Sequence, residues 1–183
     1  MTAVYLLLAI LALGLAYLVF RKPIKTYFRF RGERLIDCPE NHAPAAVVVN
    51  ARRAVMARGQ AGLRLKDCSR WPEKQNCGQE CLRQIETAPE SCLVRNILVN
   101  WYAGKSCVLC GKPLDEMNWM EHKPCFLAAD GVSYEWSDVP AEALPETFSS
   151  HVPICWNCHV ASTFRRKHAE LVTDRDWKKT AAK

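Results

Sequence analysis

Residues 3–20 form an unbroken run of apolar and small side chains with no charge and no proline, and this run constrains everything that follows it. At about 1.5 Å per residue, a helix of that length nearly crosses a hydrocarbon core of about 30 Å. Residues 1–20 are therefore expected to form a single transmembrane helix. A cleaved signal peptide is the rival reading. Against it, no Lys or Arg precedes the run, no small-x-small cleavage site follows it, and the chain continues Arg21-Lys22-Pro23.

Arg21, Lys22, Lys25, Arg29, Arg31 and Arg34 crowd the downstream flank. Excess positive charge stays on the cytoplasmic side, so the expected topology has the N-terminus outside and the rest of the chain in the cytoplasm. Residues 21–36 then read as a basic juxtamembrane linker. Much of the formal charge of +6 lies here, and anionic headgroups explain it better than nucleic acid does. Tyr27, Phe28 and Phe30 interleave with these bases, as in an interfacial belt or a solvated linker.

That compartment decides how ten cysteines in 183 residues are read. In a reducing cytoplasm they point to metal ligation rather than disulfides. The length leaves room for about one domain beyond the anchor. An α+β domain is expected, small, cysteine-rich and stapled by metal, with an N-terminal lobe over 37–104, a metal-binding lobe over 105–174 and a disordered tail over 175–183. Within it, strands are expected at 45–50 and 63–66. Helices are expected at 51–58, 79–87, 90–102 and 160–171, and a β-hairpin at 119–136 around Asp130-Gly131.

Cys107-Val-Leu-Cys110-Gly111 has the form of a tight turn that aims two thiolates at one ion, with the glycine relaxing the backbone. Cys155-Trp-Asn-Cys158 supplies a second pair at the start of a helix, whose N-terminus favours thiolate charge. Four thiolates in two pairs suit tetrahedral zinc. Cys107, Cys110, Gly111, Cys155 and Cys158 resemble zinc-ribbon and treble-clef modules over about the last third of the chain. The order knuckle, hairpin, helix is more like a treble clef. The pairs are further apart than the roughly fifteen to twenty residues usual in such modules.

The same residues carry two other readings. Cys155-Trp-Asn-Cys158-His159 matches the attachment pattern of c-type haem, resembling cytochromes c and implying a periplasmic location. A thioredoxin-like dithiol is the other, although no βαβ unit surrounds either pair.

Cys68, Cys77 and Cys81 form a second group, with the last two one helical turn apart. Cys38, in a proline-containing loop, is expected to complete it, with Cys92 or His42 as substitutes. Zinc and an iron–sulfur cluster both accept four cysteines, so the occupant stays open. His122, His151 and His168 have no paired ligand, and Cys125 has no evident partner. Trp71, Trp101, Trp119, Trp136 and Trp156 are expected to pack around the metal centres.

No nucleophile elbow, phosphate loop, dinucleotide fingerprint or His-Glu-x-x-His helix is present, so catalysis has no positive support and no small-molecule substrate suggests itself. The sequence reads as a membrane-anchored, cytoplasm-facing scaffold with structural zinc, an accessory subunit or assembly factor with a protein partner at the membrane. A tethered iron–sulfur redox protein and a periplasmic haem protein are the alternatives.

Overall fold

The computed structural model describes residues 2–57, 62–71, 73–74, 76–114, 119 and 123–171. The expected end of the 51–58 helix, His122 and the tail over 175–183 lie outside the described residues. The chain forms two compact units, Met1–Ile97 and Leu98–Lys183.

The first unit begins with helix α1, Thr2–Phe30. Its large apolar side chains from Val4 to Phe20 are exposed all round. A helix apolar on every face needs lipid or protein to cover it. Among the described residues, Val4–Phe30 is the one helix long and apolar enough to cross a membrane. The helix does not stop at the expected boundary, but runs through Pro23 and the basic residues to Phe30. Burial explains the extension. Phe30 is buried in the core and Tyr27 packs against it, so the last turn is held by tertiary contact despite the N–H that Pro23 lacks. Gly32 ends the extension with φ of +107°.

Three antiparallel strands follow in the order β1-β2-β3: β1 Glu33–Asp37, β2 Pro44–Val49 and β3 Leu65–Cys68. Helix α2, Ala51–Met56, links β2 to β3, and the Asn50 side chain caps it by accepting from the Arg53 N–H. Helix α3, Leu82–Thr87, closes the core with Leu82 and Ile85. Phe30, Ile36, Val47, Val49 and Leu65 fill the space between.

Helix α4, Val94–Tyr102, contains the division between the units. The second unit has the antiparallel sheet β5-β4-β6, made of β4 Cys125–Leu127, β5 Ser133–Glu135 and β6 Val152–Ile154. The expected hairpin is the β4–β5 pair, shorter than the sequence suggested. Helix α5, Leu144–Ser150, precedes β6, and α6, Trp156–Lys167, follows it. Trp101 stacks on Phe148 at 5.0 Å and meets Phe126 edge-on at 5.4 Å, so it belongs to an aromatic core.

Candidate metal centre

Cys107 and Cys110 sit on a turn whose arms are tied by a bridge between Ser106 and Pro113. The Cys107 N–H donates to the Lys112 carbonyl at 2.9 Å, and the Gly111 N–H to the Cys107 carbonyl at 2.8 Å. Closing so tight a turn requires the φ of +73° at Gly111, which costs other residues a steric penalty.

Cys155 lies one residue beyond β6, in extended conformation, as the N-cap of α6. The helix therefore starts four residues earlier than its expected start at 160, and Cys158 falls in its first turn. The two pairs are joined by the N–H of Val108, which donates to the Pro153 carbonyl at 3.2 Å.

The outcome is a cluster in which the Sγ atoms of Cys107, Cys110, Cys155 and Cys158 all lie within 4.8 Å of one another. Those of Cys110 and Cys155 are 3.7 Å apart. A tetrahedral ion with zinc–sulfur bonds of about 2.3 Å sets its ligand sulfurs about 3.8 Å apart, so the spacing fits one ion. Cys107 and Cys155 are buried, Cys158 half-buried and Cys110 exposed.

Electrostatics favour a cation here. Burial opposes charge on Cys107, but backbone N–H donors from Cys155, Cys110 and Leu109 outweigh it and bring the thiol down to about 6. Burial and then the neighbouring sulfurs push Cys158 up. Four packed thiols resist ionising together unless a cation offsets the charge.

Cys125, which the sequence left unassigned, packs in the same buried cluster as Cys107 and Cys155. Its sulfur faces the Lys123 carbonyl at 3.4 Å. Burial raises the Cys125 thiol to about 12, and Cys125 is not one of the four sulfurs that lie within 4.8 Å of one another, so it serves as a packing group. Trp156 also packs there, whereas Trp119 and Trp136 meet edge-on at 5.6 Å. His159 is turned to Ser133, its Nδ1 lying 2.9 Å from the Ser133 Oγ. Nδ1 of His151 is 2.8 Å from the Ser150 hydroxyl, and His168 sits 3.6 Å from Glu170.

In the first unit Cys38, Cys68, Cys77 and Cys81 line a single cavity of about 130 Å³. Cys38 follows β1, Cys68 ends β3, and Cys81 precedes α3. Burial, then the sulfurs of Cys77, Cys68 and Cys38, push the Cys81 thiol up to about 11. Neither Cys92 nor His42 is among the residues lining this cavity. The Cys92 thiol instead faces the Gln84 carbonyl at 3.9 Å. Arg70, which the sequence gave no reason to single out, donates from Nη1 to the Cys38 sulfur at 3.1 Å.

Comparison with protein families, with curated proteins and with solved structures finds no match to this chain.

Proposed function

We propose that this chain is a single-pass membrane protein whose second unit is a treble-clef-like module folded around a structural zinc ion at Cys107, Cys110, Cys155 and Cys158. The observation that carries the reading is the convergence of four sulfurs, from a turn and a helix start, at the spacing of one tetrahedral ion. Four thiolates close the coordination sphere, leaving no position for substrate or water, so the ion stabilises rather than catalyses. Soft thiolate ligands in a tetrahedron select zinc among the hard and borderline cations.

The basic residues from Arg21 to Arg34 support an orientation with the chain beyond α1 on the cytoplasmic face. A rigid, metal-stapled domain held against that face serves as a scaffold, an accessory subunit or assembly factor for a membrane complex. The c-type haem alternative is disfavoured because Cys155 and Cys158 are both engaged with Cys107 and Cys110, and His159 with Ser133.

The test is chelation of the full-length chain in detergent. Removal of the ion is expected to melt the second unit, read by the fluorescence of its tryptophans, and re-addition of zinc to restore it. A chain that gives up its metal with an unchanged melting curve would overturn the structural role. Protease digestion of vesicles of known sidedness checks the orientation, with cleavage of the folded units expected only from the cytoplasmic face.

A further inference from the structure

We propose that Cys38, Cys68, Cys77 and Cys81 form a second thiolate metal centre, housed wholly in the first unit and independent of the zinc module. The four come from three stretches: the turn after β1, the end of β3 and the turn into α3. Chance burial of small apolar thiols does not require such convergence on one cavity, nor the donors aimed at it.

Those donors are the stronger observation. The Arg70 guanidinium reaches the Cys38 sulfur at 3.1 Å. The N–H of Gln79 donates to the Cys77 sulfur at 3.3 Å. A neutral thiol is a weak acceptor, whereas a thiolate rewards a charged donor and a backbone N–H. Gln79 holds this position with φ of 59°, a left-handed conformation that a non-glycine residue adopts at a cost. Its side chain is fixed as well, Oε1 accepting from the Leu65 N–H at 3.0 Å. The backbone is thus strained where it serves a sulfur.

One cation of the cavity wall acts on a sulfur directly. Four thiolates around a divalent ion leave two negative charges, and Arg70 offsets one of them at the Cys38 sulfur; Lys74 is paired with Glu40, which lines the cavity together with Glu80. Ile36, Leu65 and Trp71 supply the apolar remainder, which limits water access and strengthens each sulfur contact. The shared chemistry is a soft, thiolate-bound centre, and both a zinc ion and an iron–sulfur cluster answer to it. Among the described residues only the Cys107 group has its sulfurs within 4.8 Å of one another. The first-unit sulfurs line one cavity but do not meet at that spacing.

The experiment compares the full-length chain in detergent, purified without oxygen, with two double variants, Cys155→Ser with Cys158→Ser and Cys68→Ser with Cys77→Ser. Metal, sulfide and the visible spectrum are measured for each. The Cys155→Ser, Cys158→Ser chain is expected to keep one centre, and the Cys68→Ser, Cys77→Ser chain to lose it. A colourless zinc there identifies an ion; iron, sulfide and a broad visible band identify a cluster. Unaltered metal content in the Cys68→Ser, Cys77→Ser chain would overturn the proposal, as would a metal-free, folded Cys155→Ser, Cys158→Ser chain. Failure of the zinc module alone looks different, since metal would then vanish only with Cys68 and Cys77. Should the Cys68→Ser, Cys77→Ser chain not accumulate, Arg70→Gln keeps every sulfur. It is expected to weaken the first-unit centre about tenfold in a chelator competition, the scale of lost outer-shell partners, without touching the other. Equal retention at both centres would count against the proposal.

Discussion

Replacing Arg34 with Met would test how the exit of α1 is tied to the first sheet. Arg34 has 0% exposure, yet it carries a charge that water would otherwise solvate. Its guanidinium donates to the carbonyls of Pro89 and Arg29. Arg29 lies in the last turn of α1, where carbonyls lack helical partners, and Pro89 stands in the loop before α4. Burial lowers the Arg34 pKa, with Cys92 and Glu90 acting in the opposite sense. Methionine keeps an apolar stem of similar length but donates to neither carbonyl. Each buried carbonyl left unpaired costs about 1–3 kcal/mol, the half-buried Arg29 carbonyl at the low end. Release of the buried charge returns part of this, since replacing buried charges with apolar groups recovers about 1–4 kcal/mol in other proteins. The two carbonyls are expected to win by about 2 kcal/mol. With a urea dependence of about 2 kcal/mol per molar, the midpoint should fall by about 1 M. Urea titration of the full chain in detergent, followed by pulse-labelled hydrogen exchange in β1 and β2, isolates this unit. A midpoint unchanged or raised would mean that the buried charge is a net burden, and would refute the tether reasoning.

Three further outcomes follow from the same geometry. Tyr102→Phe removes the hydroxyl that donates to the Cys125 carbonyl and should cost about 1 kcal/mol in the second unit while leaving its metal content unchanged, by thermal melting and elemental analysis. Gly111→Ala meets no atom within 4 Å of the added methyl, so its cost is the left-handed backbone alone, about 1 kcal/mol, and the zinc affinity should fall about fivefold in a chelator competition. Metal release should steepen as pH falls, because each thiolate that leaves the ion takes up a proton; a zinc-indicator titration checks this, and pH-independent release would exclude a thiolate site.

The four-cysteine cluster was legible because spacing and context were both local: two C-x-x-C pairs, one followed by glycine, the other at a helix start. The start of α6 was not. Its cap is Cys155, a residue type without ordinary capping preference, and the Cys155 side chain makes no cap hydrogen bond. The end of α1 is hidden from the sequence for a related reason. Pro23 and its basic neighbours argue for a break, while the burial of Phe30 that holds the last turn is a long-range fact. Strand β2 was readable from its three valines to within one residue, because a short, nearly continuous apolar run rich in β-branched residues suits a buried strand. Arg70 and Cys125 carry no periodic or motif signal, and only the folded chain brings them to the sulfurs.

Cys107, Cys110, Cys155 and Cys158 are proposed to hold one metal ion. The most direct measurement is X-ray absorption at the zinc edge of the purified full-length chain, with the zinc content of the Cys155→Ser, Cys158→Ser variant alongside. A shell of four sulfurs at about 2.3 Å, with one equivalent of zinc lost in the variant, is the expected result. A folded chain without zinc, or zinc bound chiefly through oxygen and nitrogen, would contradict it.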